Sequence, residues 1–152
     1  MPSFDSHVFD ITRVIQLAVA PVFLLTAIGT IINALINRLG RAVDRRRALE
    51  ELLPACEGEK LADMTIELRI LARRIVLVLW SVALAVLSAL LVCLLIGTAF
   101  VGAFIAIDLS RPVALLFIAA VVALTFCLVL FMREVFLAAV TVHHGATVTP
   151  RA

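Results

Sequence analysis

The thirty residues Ile75–Phe104, IVLVLWSVALAVLSALLVCLLIGTAFVGAF, carry no charged side chain. A helix needs roughly 20 apolar residues to cross a hydrocarbon core of about 30 Å, so this run is a membrane span with length to spare and should tilt or project at one end. Two further runs meet the same criterion, about 15–36 before it and about 113–132 after it. The whole chain agrees: of 152 residues 64% are hydrophobic and 16% charged, and the mean hydropathy is +1.18. A water-soluble domain averages roughly 45 to 50% apolar residues, so that class is excluded.

Charge sets the direction of the bundle. Nine of the 13 Lys and Arg residues fall in 37–74: Arg38, Arg41, Arg45, Arg46, Arg47, Lys60, Arg69, Arg73 and Arg74. The positive-inside rule makes this segment cytoplasmic, with the N-terminus outside, the short 106–111 turn outside and the C-terminus inside. The first ten residues hold two acids and no basic run, so a cleaved signal peptide is not expected and the first helix should stay in the mature protein. Asp108 or Ser110 is placed to cap the third helix, and Pro112 suits its first turn.

The segment 37–74 is patterned rather than loose. Leu35, Leu39, Ala42, Leu49 and Leu53 share one helical face, as do Leu61, Met64, Leu68, Leu71 and Ile75, and Arg46 breaks the first stripe. Pro54 to Gly58 is a stop and turn, so the two arms should fold back as an antiparallel hairpin, each continuing its membrane helix by about 24 Å. The reading is an all-α membrane protein, a single domain over 1–152. It has spans at about 15–36, 75–104 and 113–132, the last continuing to about 142, and the first two extend into a cytoplasmic helical hairpin at about 37–74.

The stretch QLAVAPVFLLTAIGTIINALINRLGRAVDRRRALE, Gln16–Glu50, resembles the opening of a family of small bacterial membrane proteins known as domain of unknown function 2721. Its APVFLL, NRL and DR elements carry the likeness together, and RILARRIVL (Arg69–Leu77), SALLVCLLIGTAF (Ser88–Phe100) and LVLFMREVFLAA (Leu128–Ala139) resemble later family segments. The resemblance implies a bacterial inner-membrane location and three helices, and supplies no activity, substrate or catalytic residue.

Two sets of residues are candidates for function. Thr26, Thr30, Asn33 and Asn37 follow at four, three and four residues and share one face of the first helix, leading on through Arg41 to Asp44. An amide in hydrocarbon is costly unless bonded, so this stripe should meet another helix, line a pore in a symmetric ring, or form a lipid or small-ligand groove. Pro21 removes one backbone bond in the same helix and is the expected kink. The second set is an inner-boundary charge cluster, Arg38, Arg73, Arg74, Arg133 and Glu134, in which Glu134 should find an arginine. This cluster reads as a charge-paired girdle, an anionic-lipid site, or a latch between the hairpin and the third helix.

Other chemistry finds little support. The spans hold no Asp or His, Ser81 and Ser88 have no base at matching depth, and no phosphate-cradling glycine loop occurs. Seven acids offset the nine bases of the hairpin, which argues against nucleic acid. Cys56, Cys93 and Cys127 form no CxxC pair, and His7, His143 and His144 are not arranged for a metal, so no metal or cofactor is expected. The expected partners are the bilayer, anionic headgroups at the cytoplasmic face and further copies of the chain. Two functions stand: a non-enzymatic homo-oligomeric structural or regulatory module, and a homo-oligomeric ion channel lined by the polar stripe.

Overall fold

The computed structural model describes residues 3–105 and 107–145, with side chains described for 19–54, 56–105 and 107–136. Three α-helices make up the fold: α1 (Ser3–Leu52), α2 (Glu59–Ile105) and α3 (Ser110–Gly145). A 3-10 turn, Leu53–Ala55, follows α1 directly. Each helix contains a stretch long and apolar enough to cross a membrane, within Val19–Leu52, Glu59–Ile105 and Ser110–Phe136. Helix α1 starts at Ser3, well before the apolar run, and passes through Pro21 without losing its helical assignment.

The spacing of buried positions explains how the helices pack. On α2, Leu71, Arg74, Val78, Ser81, Ala85, Ser88, Val92 and Leu95 are buried or half-buried, and they alternate three and four residues apart. On α1 the buried set is Pro21, Ile28, Leu35 and Leu49, with Ala42 half-buried between the last two. On α3 it is Ala120, Ala123, Cys127 and Glu134, with Leu130 half-buried. A mean repeat of 3.5 residues keeps one seam of each helix turned to its neighbours, which is the spacing of knobs-into-holes packing.

The chain forms two compact units. The first joins Met1–Asn33 to Leu84–Thr125. Ala85, Ser88, Ala120 and Ala123 are buried beside Ile28, Val92 and Leu95, and the Ser88 hydroxyl donates to the Ala120 carbonyl oxygen at 2.8 Å. That bond crosses between α2 and α3 in a place where no water competes for it. The turn into α3 lies in the same unit. Asp108 accepts the Ser110 amide at 3.0 Å, and Pro112 sits in the first helical turn, where its missing N–H costs nothing. Gly102 packs close beside this turn: a Cβ there would come within 3.3 Å of the Leu109 side chain, which would have to yield by a few tenths of an ångström.

The second unit joins Ala34–Ala83 to Phe126–Ala152. Here Leu35, Leu49, Leu71, Val78 and Cys127 are buried, and Arg45 pairs with Glu67 at 2.9 Å across the α1–α2 turn. The turn reverses at Gly58, whose φ of 65° lies in the left-handed region where a side chain is strained. Most outward faces are strongly apolar in both units: Phe23 is 71% exposed, Trp80 63%, Phe104 90% and Leu115 67%. Apolar surface this extensive suits lipid rather than water.

Candidate functional site

One carboxylate gathers the three helices within the second unit. Glu134 of α3 is 2% exposed. Its Oε2 accepts from Arg38 Nη1 of α1 at 2.8 Å, and its Oε1 accepts from Arg74 Nη2 of α2 at 2.9 Å. The Arg38 guanidinium also stands 5.0 Å from the centre of the Phe131 ring, one helical turn before Glu134. Two cations meet one anion, so the node keeps a net positive charge. The Arg74 Nε is buried and donates to no partner among the described residues. Burying a lone carboxylate costs several kcal/mol, so this group is stable here only because each oxygen has its own guanidinium.

Arg73 and Arg133 are not brought into this node. Both are exposed, and neither makes an ion pair among the described residues. Consecutive helical residues point about 100° apart, so where Arg74 and Glu134 face inward their neighbours must face away. The register of the seams separates the five charges. Arg74 lies three residues from Leu71 and four from Val78, Glu134 lies seven from Cys127, and Arg38 lies three from Leu35. That periodic signal is present in the residues themselves, and it also picks out Ser88, whose residue type suggests only a nucleophile. Toward the end of α1, Arg46 breaks the apolar stripe by turning outward to Glu50 at 2.7 Å.

The polar stripe of α1 is turned away from the buried seam of the described residues. Thr26, Thr30, Asn33 and Asn37 are all exposed. The threonine hydroxyls donate back to the carbonyl oxygens of Val22 and Thr26, at 3.3 and 3.1 Å. Asn33 and Asn37 make no side-chain hydrogen bond among the described residues, so contact with another helix of the same chain does not satisfy them. At 3.5 residues per turn the stripe lies about 180° round α1 from Ile28, Leu35 and Leu49. Pro21 falls on the buried side.

The remaining polar groups are engaged locally. Ser81 donates to the Leu77 carbonyl oxygen at 2.9 Å. The three cysteines are free, with Cys93 exposed and Cys127 buried. Among the described residues no cluster of metal-ligating side chains occurs, and the side chains of His7, His143 and His144 lie outside the described residues. Asp108, in the α2–α3 turn, has its carboxyl held below the ordinary 3.8 by hydrogen bonds from the Ser110 hydroxyl and then its backbone amide.

The chain belongs to the family described as "Protein of unknown function (DUF2721)", whose model matches residues 18–144. The match takes in the node, the polar stripe and all three apolar stretches. No curated protein and no solved structure matches the chain.

Proposed function

We propose that this family member is a non-enzymatic module of the bacterial inner membrane that works as a homo-oligomer and transmits structural state between its spans and a cytoplasmic helical hairpin at about 37–74. The N-terminus is outside and the C-terminus inside in this reading, a direction supported by the concentration of arginine in the hairpin. The observation that carries the proposal is Glu134: a buried carboxylate bound at once to α1 and α2 is a clamp where the hairpin arms leave the apolar runs. Exposed Arg73 and Arg133 beside it suit anionic lipid headgroups. The non-enzymatic reading draws support from Ser81 and Ser88, whose hydroxyls are occupied by backbone carbonyls.

Two measurements test this. An impermeant thiol reagent applied to intact cells should spare Cys56 and should label it in inverted vesicles; labelling in intact cells overturns the orientation. The mass of the purified chain in lipid nanodiscs should exceed one copy; a strict monomer in lipid removes the homo-oligomeric module. A second reading, a homo-oligomeric ion channel, is favoured by the outward position of Thr26, Thr30, Asn33 and Asn37, which in a ring of copies would surround an axis. It requires ion flux through liposomes holding the protein, and Asn33→Leu must alter that flux.

A further inference from the structure

The four polar residues on the outer face of α1 do not end the stripe. Spacing of three and four continues through Gly40, Asp44, Arg47 and Glu51, and every one of these is exposed. This repeat matches the seams that pack inside the chain, yet it lies on the opposite side of the helix and is exposed throughout among the described residues. We infer that this face of α1 is the surface on which a second copy of the chain docks, helix against helix, parallel and in register. The inference rests on the homo-oligomeric reading above and names its interface.

Three observations lead to a second copy rather than to lipid. The first is polarity. Outer faces of α2 and α3 present Trp80, Leu90, Phe104 and Leu115, whereas α1, beside exposed Phe23 and Ile36, presents within its apolar run the amide of Asn33, which has no side-chain hydrogen bond among the described residues. An unbonded amide in hydrocarbon costs several kcal/mol, so a lipid-facing helix would carry it inward. The second is self-complementarity. An amide offers both donor and acceptor, and all copies insert in the same direction because the same charge bias orients each of them. Thus α1 meets α1 in parallel, and Asn33 faces the partner's Asn33, as a polar seam residue does when it fixes register. The third is the continuation. A Cβ at Gly40 would find nothing within 4 Å, which leaves room for close approach. Beyond it the charges run negative, positive, negative, so Arg47 of one copy is placed to reach the partner's Asp44 or the partner's Glu51.

Disulfide trapping in native membranes tests the interface. With Cys56→Ser and Cys93→Ala in place and buried Cys127 kept, single cysteines are introduced as Asn37→Cys or Gly40→Cys on the seam. Val22→Cys and Ile36→Cys, exposed on α1 but roughly 80° away, serve as controls. Oxidation by a membrane-permeant catalyst should give disulfide dimers about tenfold faster at the seam, and equal or faster trapping at the controls overturns the assignment. Asn33→Leu should weaken self-association in nanodiscs by about tenfold, and unchanged association overturns it as well. Should the chain be monomeric in lipid, the homo-oligomeric reading falls and this interface with it. Should oligomers form while seam cysteines stay silent, the interface alone is wrong.

Discussion

Replacing Glu134 by glutamine keeps the shape of the side chain and removes its charge, and the geometry of the node sets the size of the effect. Removing one partner of a fully buried ion pair costs about 3 to 5 kcal/mol. The loss here is smaller on two counts. The Arg38 and Arg74 side chains retain 34% and 26% exposure, so each unpaired guanidinium recovers some hydration. Glutamine also keeps one acceptor oxygen, worth about 1 kcal/mol to whichever arginine retains it. A net cost of about 2 kcal/mol remains. Cys127 reports it, since this residue is 0% exposed and precedes Glu134 by seven residues on the same seam of α3. With Cys56→Ser and Cys93→Ala removing the other thiols, alkylation of Cys127 requires the seam to open. An opening equilibrium eased by about 2 kcal/mol gives roughly thirtyfold faster alkylation under native conditions. Replacing all three charges, Arg38→Met, Arg74→Met and Glu134→Leu together, should bring the rate back toward the parent, because apolar packing substitutes well for a buried charge set. If Glu134→Gln leaves Cys127 reacting within about twofold of the parent, the carboxylate does not hold α3 and the clamp is refuted.

Ser88→Ala should cost about 0.6 kcal/mol, the usual worth of a hydrogen bond between membrane helices, while Ser88→Leu should cost more by overfilling a closed seam. Thermal unfolding in one detergent ranks them, and the order Ala worse than Leu would contradict the packing described. Gly58→Ala should destabilise the α1–α2 turn by about 1 kcal/mol because its φ is 65°, with Gly58→Asn losing less; equal melts for all three chains would remove the strain argument. Asp108 has a lowered folded value, so its contribution to the start of α3 is fully present above the ordinary 3.8 and disappears as pH falls through the lower folded value. Referred to its intrinsic exchange rate at each pH, the Ser110 amide should lose protection over that acid window and show no such step in Asp108→Asn. A carboxyl that titrates at 3.8 or above would sink the prediction.

Much of the fold is legible in the residues alone. Uninterrupted apolar runs dictate spans, and Pro54 with Gly58 dictates a turn, because backbone chemistry at those positions leaves few alternatives. Helix ends are less legible: α1 begins at Ser3 since nothing between there and Ile15 forbids helix, although nothing apolar demands it. The charge cluster is half legible. That Glu134 finds an arginine is dictated by the cost of burying it, but choosing Arg74 over Arg73 needs the seam register, which depth and charge do not reveal. The stripe from Thr26 to Asn37 is legible as a face. Its direction is not, because polarity shows that a partner is needed without showing which chain provides it.

The clamp also imposes a timetable on synthesis. Arg74 precedes Glu134 by 60 residues and Arg38 precedes it by 96, so both guanidiniums are made long before their shared counter-ion. At translation rates of roughly 5 to 20 residues per second, Arg74 waits about 3 to 12 s and Arg38 about 5 to 19 s. During that interval the nascent chain carries both guanidiniums without the carboxylate they come to share, and α3 brings it on arrival. A chain truncated before Glu134 never acquires the carboxylate that both guanidiniums share.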